Sequence, residues 1–144
     1  MTEMLLIGEL DGTRIALPAA SIRSVIETEA LAPVPHAPPH VAGLTAVRSQ
    51  ALTVIDARAS LGLPARQHRP GDCAAVIAHE GHLYALLLDV IHDVRAALSA
   101  PAPVAGGYGA GWQDAAVGMV EIGEGPALLV DTGTIIRGPA RADA

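Results

Sequence analysis

The sequence VDTGT at residues 130–134 is the stretch most suggestive of catalysis. An apolar strand followed by Asp-Thr-Gly surrounds the active carboxylate of aspartic proteases, in which two such carboxylates share a proton. This chain would have to form a homodimer to supply the second carboxylate. Only residues 134–144 follow Gly133, whereas such a protease needs core and substrate-covering strands after its catalytic loop. A small homodimeric aspartic protease using Asp131 is therefore an alternative function and not the preferred one.

Two histidine pairs have spacings that could suggest a metal site. His79-Glu80-Gly81-His82 is one residue shorter than the His-Glu-x-x-His motif, which places two imidazoles on one helical face. It lies between two apolar runs and predicts a polar hairpin turn. His36 and His40 bracket Ala-Pro-Pro, and polyproline geometry does not hold positions four apart on one face. The sequence therefore predicts no metal site and no cofactor.

The remaining catalytic and nucleotide-binding motifs do not fit. GGYGAG at 106–111 lacks the Gly-x-Gly-x-x-Gly order of a dinucleotide site. A phosphate-binding P-loop needs a lysine, and the sequence contains none. The sequence lacks the Gly-x-Ser-x-Gly motif that exposes a nucleophilic serine, and its single cysteine, Cys73, lies in a predicted polar turn. The sequence therefore shows no basis for nucleophilic catalysis. The sequence predicts a protein that is not an enzyme.

Charge and hydropathy limit the classes of partner that the protein can bind and the cellular location that it can have. The chain has 9 basic and 15 acidic residues, and the net charge of −6 opposes nucleic-acid binding. One cysteine and an N-terminus without a secretory signal predict a cytoplasmic protein. The longest uncharged run, residues 96–113, contains prolines and glycines, so it predicts a long loop and no direct membrane insertion.

The elements expected from the sequence are short strands. Apolar runs broken by Gly, Pro and Asp favour strands over long helices, and Asp11-Gly12 predicts a hairpin turn. The ten predicted strands are Met4–Ile7, Arg14–Leu17, Ile22–Ile26, Leu44–Val47, Ala51–Ile55, Ala74–Ala78, Leu83–Leu88, Val90–Val94, Val117–Ile122 and Ala127–Val130. Ten short strands predict an all-β barrel or sandwich fold.

Three segments end an apolar run with aspartate: residues 53–61, 86–94 and 128–136. We interpret each aspartate as the cap of a turn or helix where a buried strand reaches solvent. Asp56 is the best case, because residues 57–61 are followed by Gly62, and it predicts a single short helix. The chain is expected to be one domain, residues 1–144, with two barrel subdomains divided near residues 64–72 and a flexible tail at 137–144.

Two stretches carry a family resemblance. RIALPAASIRSVIE (14–27) and APVPHAPPHVAGLTAVRSQALTVIDARASLGLP (32–64) resemble the CheW family of bacterial chemotaxis coupling proteins. The second half, AAVIAHEGHLYALLLDVIHDV (74–94) and AVGMVEIGEGPALLVDTGTII (116–136), is similar to later blocks of the same family. The resemblance covers residues 5–136.

The resemblance implies two intertwined five-stranded SH3-like barrels, with one short helix after the first barrel and no catalysis. It implies an adaptor that couples the cytoplasmic tip of methyl-accepting chemoreceptors to the regulatory domain of the histidine kinase CheA. Such a protein would be cytoplasmic and recruited to membrane-associated receptor clusters. It also explains Asp131 as the end of the closing hairpin. A scaffold of the same fold with an unrelated partner remains a second alternative.

The resemblance also implies that Arg48 contacts the receptor. We expect the apolar residues near Ile22, Leu44 and Val47 to supply contact area in the same partner-binding site. The family has Asn-Leu-Arg-Gly where this chain has Ala46-Val47-Arg48-Ser49, so the arginine is kept and the turn glycine is lost. The turn is therefore expected to differ from the family's turn, and Gln50 is expected to take part in it. Proline fixes φ, so the prolines of residues 33–39 predict a stiff crossover that leads to the Leu44–Val47 strand.

Overall fold

The computed structural model of the protein describes residues 3–64, 66–104 and 110–138. Ten strands occupy the positions predicted from the apolar runs. They are β1 (Met4–Leu10), β2 (Thr13–Pro18), β3 (Ile22–Glu27), β4 (Val41–Val47), β5 (Gln50–Asp56), β6 (Cys73–His79), β7 (His82–Leu87), β8 (Val90–Ala96), β9 (Ala116–Glu121) and β10 (Pro126–Val130). The helices are α1 (Ala57–Ser60), α2 (Ala110–Ala115) and α3 (Thr132–Arg137), with a 3-10 turn at Ala19–Ser21.

The strands form two five-stranded sheets. The first sheet has the order β8-β1-β2-β10-β9, and the second has the order β3-β6-β7-β5-β4. Neighbours in both sheets are antiparallel except for two pairs, β2 with β10 and β5 with β7, which are parallel. The predicted all-β class and the description as two SH3-like barrels are confirmed.

Each half of the chain repeats one order of elements: a hairpin, a strand, a connector, a second hairpin and a helix. The connector of the second half also contains α2. The halves exchange their first hairpins. The β1–β2 hairpin joins β8, β9 and β10, and the β6–β7 hairpin joins β3, β4 and β5. Residues 64–72 therefore separate two halves of five strands each, but they do not separate the two barrels, because each sheet takes strands from both halves.

Most strands are buried on both faces, and this explains their continuous apolar runs. One face of each sheet contributes to a shared core, formed by Leu6, Leu10, Ile15, Leu17, Leu128 and Val130 from the first sheet and Ile55, Ala75, Ile77, Leu86 and Leu88 from the second. The opposite face of each sheet lines a core of its own. We call the barrel formed by the first sheet the first barrel and the barrel formed by the second sheet the second barrel. The first-barrel core contains Leu5, Ile7, Ala16, Val120, Ile122, Ala127 and Leu129. The second-barrel core contains Leu52, Val54, Ala74, Val76, Ala85 and Leu87.

The short helix predicted after Asp56 is confirmed as α1, and the described residues contain two further short helices that were not predicted. Helix α2 lies in the run predicted to be a loop, where buried Trp112 packs into the shared core. Helix α3 follows β10, and its buried Ile135 and Ile136 pack into the same core despite the low helix propensity of β-branched residues. Residues 105–109 of the predicted loop and 139–144 of the predicted tail lie outside the described residues, and Arg137 ends α3.

Candidate partner-binding site

The β4–β5 hairpin presents Arg48 to solvent at its tip. Val47 and Gln50 are paired, so Arg48 and Ser49 form a two-residue turn, with φ of +50° and +67°. Positive φ at both central residues is the pattern of a type I′ turn. Arg48 and Ser49 are the central residues of the turn, and Gln50 closes it by pairing with Val47. Ser49 adopts the left-handed conformation in place of the family's glycine, and Gln50 is the first residue of β5.

This turn gives a first prediction: Ser49→Gly should raise the free energy of unfolding by about 0.5 kcal/mol. Serine in the left-handed region costs about 1 kcal/mol, and the greater freedom of glycine in the unfolded chain offsets part of that gain. Urea unfolding of the two proteins would measure the difference. Ser49→Ala is the control and should not be stabilising. A destabilised glycine variant would contradict a left-handed turn at residue 49.

Leu44 lies on the outer face of the same hairpin, with 37% of its surface exposed. Exposure alternates along β4, so Leu44, Ala46 and the Arg48 turn are exposed while Gly43 and Thr45 are buried. Leu44 is paired with Thr53 of β5, and Thr53 is in parallel register with Tyr84 of β7. The outer face of β4 therefore continues across β5 to β7.

A second hairpin tip lies beside the Arg48 turn. His79 pairs with His82, so Glu80 and Gly81 form a two-residue turn with φ of +49° and +81°. This confirms the polar hairpin predicted for the His-Glu-Gly-His sequence. Since β5 and β7 run parallel, the two turns lie at the same end of the second sheet. A cleft of about 280 Å³ lies between the starts of these strands, lined by residues that include Gln50, Thr53, His82 and Tyr84.

Val47 and Ile22 do not lie on this exposed face. Val47 is half-buried and packs against the second-barrel core, on the opposite side of β4 from Leu44. Ile22 is half-buried on β3, which is the opposite edge strand of the second sheet, and it packs against the shared core. The structure therefore brings Leu44 and Arg48 together with the β5–β7 cleft. The cleft residues were not predicted, because their position depends on the parallel β5–β7 pairing.

The proline connector fixes the outer edge of β4. Ala32 and Leu44 exchange two backbone hydrogen bonds of 2.9 and 2.8 Å, and Val41 N–H donates to the Pro38 carbonyl. Gly43 has a φ of +152°, and a Cβ there would lie 2.7 Å from the Ala32 carbonyl oxygen. Only glycine, which has no Cβ, allows the backbone of β4 to come this close to the Ala32 carbonyl. The connector thus covers part of the edge of β4 and leads directly into this strand.

His40 attaches the end of the connector to α3. Its side chain is buried, and Nε2–H donates to the Ile136 carbonyl at 3.0 Å, while the His40 carbonyl accepts from Asp56 N–H at 2.8 Å. Gly138, with φ of +88°, lies directly against the imidazole ring. His40 is therefore bonded to backbone and does not face solvent. His36 is exposed with a φ of +61°.

A charged cluster links the start of α1 to the β1–β2 turn and to Asp89, which precedes β8. Arg58 donates to both carboxylate oxygens of Asp89, at 2.8 and 2.7 Å, and Asp11 N–H donates to the same carboxylate at 2.7 Å. Burial alone would raise the pKa of Asp89, but the hydrogen bonds from Arg58 and Asp11 and the positive charges of Arg58 and Arg66 together lower it. The hydrogen bonds to Asp89 raise the pKa of Arg58 despite its burial.

Asp131 has a structural role that accounts for its Asp-Thr-Gly sequence. It follows the last residue of β10 and caps α3, accepting from Gly133 N–H at 3.3 Å and from the Thr134 hydroxyl at 2.8 Å. Asp56 caps α1 in the same way, accepting from Arg58 N–H and Ala59 N–H. The capping interpretation of these two aspartates is correct.

Across residues 3–64, 66–104 and 110–138, no group of three His, Cys, Asp or Glu side chains could hold a metal ion.

Two interlocked five-stranded sheets, with the Arg48 and Glu80 turns exposed at one end of the second sheet, define a small all-β module. A model of the CheW-like domain family matches residues 4–140. The chain belongs to the CheW-like domain family. Because this is a family of non-catalytic scaffold proteins, membership confirms the prediction that the chain is not an enzyme.

A solved structure supports the fold independently. The scaffolding protein TtCheW from Thermoanaerobacter tengcongensis matches with a TM-score of 0.78 and 16% sequence identity, over 91% of this chain and 90% of that one. A comparison with curated proteins found no match. Among the described residues, none of the helices is long and apolar enough to span a membrane.

Proposed function

We propose that this protein is an adaptor that couples chemoreceptors to a CheA-type histidine kinase in the cytoplasm. The observation that carries the proposal is the match of a CheW-like domain to residues 4–140, nearly the whole chain. The adaptor would bind the regulatory domain of the kinase and the cytoplasmic tip of a methyl-accepting receptor, and it would thereby be recruited to membrane-associated receptor clusters.

Arg48 is the side chain best suited to orient the receptor. It is exposed, and the side-chain hydrogen bonds and ion pairs of the described arginines involve Arg14, Arg58, Arg66, Arg95 and Arg137 but not Arg48. Its guanidinium therefore keeps its donors for a partner's carboxylate or carbonyl oxygens. Leu44 supplies apolar contact area on the same face, and the cleft beside the turn can accept a partner side chain.

Val47 and Ile22 stay in the proposed partner-binding set with a different role. Both are half-buried against apolar cores, so they would position β4 and β3 and would contribute less contact area than Leu44. An adaptor can change kinase activity only by binding the kinase's states with different affinities. The rigid connector and hairpin make the site suited to such selection, because little conformational freedom is lost on binding.

The proposal is tested by titrating the protein, by calorimetry, against a kinase regulatory domain and separately against a receptor signalling tip. Saturable binding to both supports the coupling role. Binding to neither partner by a well-folded sample would contradict it and would favour a scaffold of the same fold with another partner. Peptide cleavage at acid pH that is lost in Asp131→Asn would instead favour the protease alternative.

Replacing Arg48 by alanine should weaken binding to the receptor tip by about tenfold or more, because an orienting charged contact contributes 1.4 kcal/mol or more. The melting temperature should not fall, since both residues adopt the turn at equal backbone cost. Arg69→Ala is the matched control. It removes one exposed arginine from the connection between α1 and β6 and should leave receptor affinity unchanged. A lowered melting temperature with unchanged receptor binding would reject Arg48 as a contact.

A further inference from the structure

The two barrel cores are covered unequally. The second-barrel core has five half-buried apolar side chains packed against it: Ile26, Leu31, Ala42, Val47 and Leu83. The first-barrel core, in the described part of the chain, has only Ala97 in that position. The repeated arrangement of the two halves would lead one to expect similar numbers of covering side chains. Among the described residues, the first barrel instead has an open end where the second is closed.

The internal repeat identifies the side chain that makes the difference. In the second barrel, a Cβ added to Gly43 would meet the Ala32 carbonyl oxygen at 2.7 Å and Leu31 Cβ at 3.1 Å. In the first barrel, a Cβ added to Gly118 would meet the Ala102 carbonyl oxygen and Pro101 Cβ, each at 2.9 Å. Ala32 bridges to Leu44, and Ala102 bridges to Met119. Pro101 therefore occupies the position that Leu31 has in the other half.

This substitution leaves space. Leu31 packs onto the second-barrel core, whereas Pro101 is exposed. A cavity of about 410 Å³ lies beside Pro101, and buried Leu5, Val120 and Leu129 of the first-barrel core line it. Leu98 lies at its rim with 64% of its surface exposed. An exposed leucine beside an open cavity that has both aliphatic and polar lining residues is typical of a protein-docking pocket.

We propose that the open end of the first barrel is a docking pocket for a leucine or isoleucine side chain of a protein partner. The chemistry of the occupant follows from Leu31, which fills the equivalent place in the second barrel. Glu3 is exposed and lines the pocket, so a carboxylate lies at the opening. Its negative charge favours a partner segment with a basic residue beside its aliphatic anchor. This pocket lies on the first sheet and goes beyond the proposed role of the Arg48 hairpin on the second.

The probe is the peptide acetyl-Arg-Leu-Arg-amide, titrated into methyl-labelled protein and followed by NMR. We expect saturable shifts of the Leu5, Val120 and Leu129 methyl groups. The peptide with glutamine in place of leucine should bind about tenfold more weakly, because burial of a leucine side chain stabilises by about 1.5 kcal/mol or more. Equal shifts with both peptides, or shifts confined to the β4–β5 hairpin, would overturn the proposal.

A filled-pocket variant gives the second test. Pro101→Leu restores the residue found in the other half, so it should raise the melting temperature by about 3 °C and abolish the peptide's methyl shifts. Pro103→Leu, two residues along the same connector, is the control and should leave both unchanged. Unchanged peptide binding by a folded Pro101→Leu protein would show that the peptide binds elsewhere and would reject the pocket. If Pro101→Leu fails to fold, Leu98→Gln serves in its place and should weaken the peptide's binding at least about threefold.

Discussion

Asp89→Asn should lower the free energy of unfolding by about 3 kcal/mol at pH 7. The variant keeps the shape of the side chain but removes the charge that pairs with Arg58, whose side chain is only 15% exposed. Removing one partner of a largely buried ion pair leaves the other charge uncompensated, which typically costs 3–5 kcal/mol. The asparagine can still accept from Asp11 N–H, so the low end of that range applies. Urea unfolding at pH 7 measures the loss.

The same pair predicts a pH dependence whose sign follows from the lowered pKa of Asp89. A carboxylate with a lowered folded-state pKa contributes stability that is fully present above its unfolded pKa of about 3.9 and is lost as pH falls through the folded value. The gap between the wild-type protein and Asp89→Asn should therefore be constant from pH 7 to about 5 and narrow below about 4. Asp93→Asn, at an exposed carboxylate on β8, is the control and should show little gap at any pH. A gap that persists undiminished at pH 2.5 would reject the ion pair as its cause.

Gly138→Ala should be among the most destabilising single substitutions, at about 3 kcal/mol or more. The new Cβ would overlap the buried imidazole of His40, and the residue would also adopt φ of +88°, which costs an alanine about 1–2 kcal/mol. The ring has little room to move, because Nε2–H is bonded to the Ile136 carbonyl. The observable is the free energy of unfolding in urea.

Two variants separate the steric cost from the conformational one. Gly62 follows α1 with φ of +69° and has open space around it, so Gly62→Ala should cost only the conformational 1–2 kcal/mol. In a His40→Ala background the overlap is gone, and Gly138→Ala should then cost about as much as Gly62→Ala. The two substitutions at residues 40 and 138 should thus be strongly non-additive. Additive losses would mean that His40 does not pack against Gly138.

The strands and turns were predictable because they depend on local patterns. Asp11-Gly12 and Glu80-Gly81 are each two turn residues between apolar runs, and both form hairpins. The aspartates that follow β5 and β10 cap helices as their position indicates. Helix α3 was missed because Thr132, Thr134, Ile135 and Ile136 disfavour a helix locally. Burial of Ile135 and Ile136, with Ser60 Oγ–H donating to the Ile135 carbonyl at 2.7 Å, overrides that preference.

Long-range contacts were not predictable from one sequence. The His40 side chain meets a carbonyl 96 residues away, and Arg58 meets a carboxylate 31 residues away, with no local pattern to pair them. The exchange of hairpins is equally invisible, since β1–β2 and β6–β7 read alike as isolated hairpins. At the candidate site, the resemblance indicated Arg48, and Leu44 was expected in the same site. The neighbouring cleft depends on the parallel pairing of β5 with β7, which no periodicity indicates.

The hairpin exchange sets an order in which the protein can be completed during synthesis. Strands β3 to β7 are contiguous in the chain, so the second sheet can close as soon as residue 87 has emerged from the ribosome. The β1–β2 hairpin is made first but has to wait for β8, β9 and β10 before its own sheet exists. Its apolar faces and unpaired strand edges stay exposed until β8, β9 and β10 have emerged, which makes residues 4–18 prone to wrong strand pairing until then.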